Sequence, residues 1–173
     1  VLEGYKTQFP QALTQTMNRK LGLQDVQTAD AELQRDLLAL MQQSHTDWTV
    51  FWRRLSHAVA ALSHTNSSAA FQPVRDLMID ATLWEAWLPA YLDRLEDQDA
   101  DATADSMLKI NPKFVLRNHL AQIAIQKAQQ KDFSEVQRLL HILQRPFDEQ
   151  PEYESYAALP PDWAAGISVS CSS

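Results

Sequence analysis

The residues able to do chemistry are few and scattered. Cys171 is the single cysteine, lying two residues from the C-terminus among Ser168, Ser170, Ser172 and Ser173. Serines neither bury a thiol nor supply a positive charge, so nothing local predicts a strongly lowered pKa, and reactivity there would rest on exposure and a partner thiol. Asp97, Asp99 and Asp101 imitate the opening of a calcium loop. That loop also needs Gly at its sixth position and a bidentate Glu at its twelfth, where this chain has Ala102 and Leu108, so an exposed acidic connection is expected instead. His45, His57, His64, His119 and His141 show no H-E-x-x-H spacing and no cysteine pair beside them, which leaves zinc without its usual ligand set. Asp148 and Glu149 could share acid-base work, but adjacent carboxylates in a Pro-flanked stretch read as solvated. No G-x-S-x-G elbow, no G-x-x-x-x-G-K-[ST] loop and no G-x-G-x-x-G turn occurs. No catalytic centre, bound cofactor or metal site is therefore expected in this chain itself.

Composition narrows the scaffold. The chain has 173 residues, enough for a core without a disulfide staple, and only 3 glycines, where average usage would give about 12. Hydrophobic residues make up 45% and charged residues 21%, values of a globular chain. The formal net charge of −7 argues against a phosphate backbone as partner, and the one basic pair, Arg53 and Arg54, reads as solvated or salt-bridged. Apolar runs such as residues 58–62 fall far short of the roughly 18 residues a bilayer span needs. One cysteine gives no secreted disulfide framework, so a reducing, cytoplasmic setting is the expectation. The start at Val1, without an initiator Met or leader, reads as a piece of a longer protein.

Periodicity predicts an all-α fold with no strand. Phe9, Leu13, Met17 and Leu21 recur every fourth residue, with Pro10 in the first turn and Gly22 as the stop. A second helix, capped by Thr28, presents Leu33, Leu37, Leu40 and Met41; a third, capped by Asp47, presents Trp48, Phe51, Trp52, Leu55, Val59 and Leu62. Residues 63–72 are expected to form a loop, with Pro73 opening a short helix through Val74, Leu77 and Met78. Leu83, Trp84, Trp87, Leu88, Tyr91, Leu92 and Leu95 share a helix that Pro89 should kink. Residues 96–105 read as an exposed connection. Asn111 and Pro112 would start a helix bearing Leu116, Leu120, Ile123 and Ala124, and Ser134 with Gln137 would form a capping box for Val136, Leu139, Leu140 and Leu143. The tryptophan pairs Trp48/Trp52 and Trp84/Trp87 have buried-face spacing, so Trp48, Trp52, Leu55, Leu83 and Trp87 are all expected in the core. Residues 1–145 form the predicted helical region, and residues 146–173 a proline-rich tail with a helical turn near residues 162–165.

NPKFVLRNHLAQ from Asn111, PFDEQPEY from Pro146, PPDWA from Pro160 and SCSS from Ser170 together resemble the C-terminal part of the selenoprotein O family. MNRKLGL from Met17 and DWTVFWRRL from Asp47 are similar to that family's segments in the same order. The departures are His119, where the family has an aromatic, and Lys131 before Asp132, where it has Gly. The resemblance implies a parent protein adenylyltransferase with a kinase-like fold, which moves AMP from ATP onto protein hydroxyls with a divalent metal, magnesium. Its ATP-binding Lys and metal-binding Asp and Asn belong to an upstream core and match nothing here. It also implies that Cys171 holds the position of the family's selenocysteine or cysteine, linked to redox control. With no second cysteine in the chain, a disulfide would reach the upstream core or a second chain. The expected partners are that core and the parent's protein substrates, with no nucleic acid and no membrane. The rival reading is a free-standing helical protein-interaction module.

Overall fold

The computed structural model describes residues 2–167, and among these there are helices and turns but no strand. The helices are α1 (Leu2–Lys20), α2 (Asp30–Gln43), α3 (Trp48–Ala61), α4 (Ser67–Arg75), α5 (Ala81–Leu95), α6 (Ala100–Leu108), α7 (Asn118–Gln129), α8 (Ser134–Leu143) and the single turn α9 (Glu154–Ala157). Short 3-10 turns occupy Pro151–Tyr153 and Asp162–Gly166, the latter where the sequence predicts a turn. The chain divides into two compact units, residues 1–111 and residues 112–173.

In the first unit, capping side chains start four helices. Asp47, Asn66 and Asp99 accept from the backbone N–H three residues on, at 2.9, 2.9 and 2.8 Å, and Asp80 accepts from Thr82 N–H at 2.9 Å. Asn66 and Asp99 correct two sequence expectations. Residues 63–72 are not a continuous loop, because α4 starts at Ser67 and buries Ala70, Phe71 and Val74. Residues 96–105 are not all connection, because α6 starts at Ala100 and buries Thr103, Ala104 and Met107 while its acidic residues face outward. Pro10 and Pro73 lie inside α1 and α4 rather than in first turns, and α5 runs through Pro89. All three prolines are exposed.

The core of this unit gathers Leu21, Leu37, Phe51, Trp52, Leu55, Phe71, Val74, Trp84, Tyr91 and Met107, each 2% exposed or less. Trp52, Leu55 and Trp87 are buried as predicted; Trp48 and Leu83 are not, at 46% and 41% exposed. Phe9 and Leu13 are also exposed, so only the C-terminal half of the α1 stripe, Met17 and Leu21, reaches the core. Trp48 instead lies edge-on to Trp52 at 5.4 Å, and the Lys20 ammonium sits over the Trp52 ring at 5.2 Å.

Buried polar groups fix how these helices meet. Asp30, not Thr28, organises the start of α2: its fully buried carboxylate accepts from Gln27 N–H at 2.9 Å, Asn18 Nδ2 at 2.7 Å and Arg94 Nε at 2.8 Å. Asn111 starts no helix. It is fully buried, donates to Lys20 O and Ser56 Oγ, both at 3.0 Å, and accepts from Lys20 Nζ at 3.0 Å.

In the second unit α7 begins at Asn118, and its buried residues are His119, Leu120 and Ala124; Leu116 is exposed. Helix α8 has no capping box: Asp132 Oδ1 accepts the Ser134 N–H at 2.9 Å, and Leu139 and Ile142 are buried while Val136 and Leu140 are exposed. Glu135, also buried, accepts from Lys127, Arg138 and the Tyr156 hydroxyl, joining α7, α8 and α9. The segment after Pro146 packs here too, since Pro146 O accepts from both Lys113 and Phe114 N–H and Gln150 Nε2 donates to the α8 carbonyl of Ile142.

The two positions expected to depart from the resemblance, His119 and Lys131, both lie among the described residues. His119 is buried with its ring edge-on to Trp163 at 6.0 Å, the geometry of an aromatic pair. Lys131 has φ 66°, a left-handed conformation that favours glycine, where the chain leaves α7. Gly22, at φ 75°, ends α1 in the same conformation, but there an added Cβ would lie 2.6 Å from Thr103 Cγ2 and 2.8 Å from Met107 Sδ. Two opposite outcomes are expected in urea denaturation: Lys131→Gly gains about 0.5–1 kcal/mol by relieving backbone strain, and Gly22→Ala loses more than about 2 kcal/mol through strain and overpacking.

A second expectation concerns acid. Burial pushes the Asp30 carboxyl up, but the hydrogen bonds from Arg94, Gln27 and Asn18 outweigh it and hold the group below the ordinary aspartate range. A depressed folded-state pKa stabilises fully above the unfolded value, about 3.9, and that stabilisation is lost as pH falls through the lower folded value. Asp30→Asn should therefore be destabilised at neutral pH and show a shallower loss of stability below about pH 4, read from urea midpoints across the acid range.

Candidate functional site

The sequence-predicted site residue, Cys171, lies outside the described residues. The three acidic positions of the imitation calcium loop are not brought together around a common point. Asp99 caps α6, Asp101 accepts from Ser63 Oγ at 2.8 Å, and Asp97 lines a groove described below. Among the described residues no group of three or more His, Cys, Asp or Glu side chains is placed to hold a metal ion. No described helix is long and apolar enough to cross a membrane.

The other candidates serve ion pairs and packing. Asp148 reaches toward Arg145 at 3.9 Å, whereas its neighbour Glu149 pairs with Lys113 at 3.1 Å, so the two carboxylates face different cations rather than one reacting centre. Burial lowers the Lys113 ammonium, but Glu154 and Glu149 outweigh it and hold its pKa above the usual lysine value. His141 Nε2 lies 3.0 Å from Arg145 Nη2. His119 is held below the ordinary histidine range, first by burial and then by the positive charge of Arg117, which keeps the imidazole neutral against Trp163. Burial alone pushes the Tyr91 hydroxyl strongly upward, so it stays protonated and donates to Leu21 O at 2.8 Å.

One recess stands apart from these networks. Helices α2 and α5 run antiparallel: Asp30 meets Arg94 at one end, and Trp87 Nε1 donates to Leu33 O at 2.9 Å further along. Between them lies an open groove of about 1010 Å³. Its floor is apolar, formed by Leu33, Leu40, Trp87 and the half-exposed Leu83, with Ala29, Ala39, Ala86 and Ala90 leaving the space. Its walls carry Glu32 and Asp36 on α2 and Asp93 and Asp97 toward the end of α5 and just beyond it. Such a recess can bind by shape, apolar area and charge.

Sequence reasoning missed this groove, and the signal for it is faint. Ala86, Ala90, Asp93 and Asp97 recur at three- and four-residue steps, which places them on one helical face, but alanines beside a tryptophan-rich stripe read as more core.

Comparison with known proteins supplies the remaining context. The family model described as protein adenylyltransferase SelO matches residues 1–144. The protein nucleotidyltransferases YdiU of Burkholderia ambifaria and Burkholderia vietnamiensis are each 51% identical over 175 residues, covering 100% of this chain and 33% of the relative. That of Albidiferax ferrireducens is 48% identical, covering 99% of this chain and 34% of the relative. The chain thus spans about a third of the length of the curated relatives it matches. With most of its length inside the family model and half its residues shared with these relatives along its whole extent, the chain belongs to the SelO family.

Proposed function

We propose that this chain is the C-terminal helical part of a protein adenylyltransferase whose remaining length carries a kinase-like catalytic core. The observation that carries this reading is the asymmetric match: all of this chain, but only 33% of each Burkholderia relative named a protein nucleotidyltransferase, is aligned. In that reaction a protein hydroxyl oxygen attacks the α-phosphorus of ATP, pyrophosphate leaves, and the hydroxyl proton passes to a base. ATP and magnesium belong to the core, and no step is assigned to residues of this chain. Its helical units support the core by packing, and Cys171 acts as a redox-sensitive position, forming a disulfide with a thiol of the core while the two cysteines are oxidised and an external disulfide is reduced.

Two measurements test the reading. A longer family protein carrying this chain should transfer radiolabelled AMP from α-labelled ATP to protein hydroxyls, while the 173-residue chain alone should transfer none. Label incorporated by the chain alone would overturn the assignment of chemistry to the core. Cys171→Ser in the longer protein should abolish the difference in AMP transfer between oxidised and reduced enzyme, and an unchanged difference would reject the redox role.

A further inference from the structure

The groove between α2 and α5 has walls that α2 and α5 themselves leave unfilled. The two helices are 14 and 15 residues long, about 21–22 Å each, and the recess runs between them. Two antiparallel helices with alanines at their facing positions leave a cleft into which the ridge of a third helix fits. Leu83, 41% exposed, and the buried Trp87 beneath it offer the apolar anchor.

The charge on the walls selects the occupant. Arg94 is the lone cation among the lining residues, and its guanidinium is already engaged by Asp30 at 2.8 Å and Asp25 at 2.9 Å. Arg35 pairs with Glu32 and Asp36 at the solvent surface, where such contacts contribute little. Asp93 and Asp97 have no ion pair among the described residues. The groove therefore presents an apolar floor between negative edges, complementary to an apolar stripe flanked by Lys or Arg.

We propose that this groove docks a basic amphipathic helix presented by a separate protein. The apolar area lies at the centre and the exposed carboxylates along both sides, the layout of an apolar interface core with a charged rim. The inference goes beyond the adenylyltransferase reading and does not depend on it.

The test uses the 173-residue chain and a synthetic helical peptide of about 15 residues, long enough to span the groove, with a leucine stripe flanked by lysines. Fluorescence anisotropy should show saturable binding that weakens at high salt. Ala86→Trp, which fills the groove from an exposed position, and Asp93→Lys with Asp97→Lys, which reverses one edge, should each weaken binding at least about tenfold, with unchanged circular dichroism confirming the fold. Equal binding of a peptide with glutamate in place of lysine, or binding indifferent to Ala86→Trp, would overturn the proposal. A dimer of the free chain that Ala86→Trp dissociates, read by light scattering, would replace the partner with a second copy. In a Cys171→Ser background, Leu83→Cys should be labelled by a thiol reagent both in this chain and in the longer family protein; protection in the longer protein alone would mean that its own chain covers the groove.

Discussion

A buried carboxylate holds the first unit in register. Asp30 is fully buried, and a charge removed from water is tolerated only when its partners are close and its lone pairs are filled. The partners come from three places: Asn18 near the end of α1, the backbone of Gln27 in the connection, and Arg94 near the end of α5. Loss of Arg94 leaves the charge without its countercharge and loss of Asn18 or the Gln27 N–H leaves a buried lone pair unfilled, so the end of α1, the start of α2 and the end of α5 are held together. Gln34 extends the cluster by donating to Asn18 Oδ1, which fixes the orientation of the Asn18 amide that serves Asp30.

The remaining helices are tied by the same logic applied to neutral groups. Trp87 and Tyr91 stack at 5.0 Å, and each sends its polar tip to a backbone carbonyl on another segment, Leu33 and Leu21. Apolar area supplies most of the driving force, but it is indifferent to small rotations of a helix. A phenol that must reach one carbonyl is not, and that turns a general collapse into one arrangement. Asn111 does this for α1 and α3, and Arg53 adds hydrogen bonds to the carbonyls of Leu108 and Asn111. Gly22 sits where α1 gives way to this network, close enough to α6 that only a hydrogen in place of Cβ fits against Thr103 and Met107.

The fold was legible wherever a local signal and the tertiary packing agreed. Asp47 as the cap of α3, Gly22 after Lys20 and the Leu33, Leu37, Leu40 and Met41 face all appear as the sequence predicts. It was illegible where a residue type with a strong local preference is spent on a distant contact. Asn111 before Pro112 has the chemistry of a helix cap, yet its partners lie in α1 and α3, 91 and 55 residues away in sequence. Within the polar stretches 63–72 and 96–105, Asn66 and Asp99 are caps and Ser67, Ser68, Asp101 and Asp105 belong to short helices whose buried sides contribute only three residues each. The face of α8 was misplaced because Leu139, Leu140, Ile142 and Leu143 offer two competing stripes, and packing chose Leu139 and Ile142. Of the candidate site, Cys171 was legible as a residue but lies outside the described structure, while the groove is a property of two helices that no single periodicity contains.

Core and groove are not independent features. Arg94 lines the recess, but its guanidinium is drawn inward by Asp30, whose demand for a countercharge is set by burial and not by anything at the surface. Its Nη2 is held by Asp25 at 2.9 Å as well, so both sides of the guanidinium are engaged away from Asp93 and Asp97. Burial of a single carboxylate thus fixes three segments of the interior and, together with Asp25, occupies the lone cation among the groove's lining residues. The α5 edge of the groove stays acidic beside an arginine because Asp30 and Asp25 already engage that arginine.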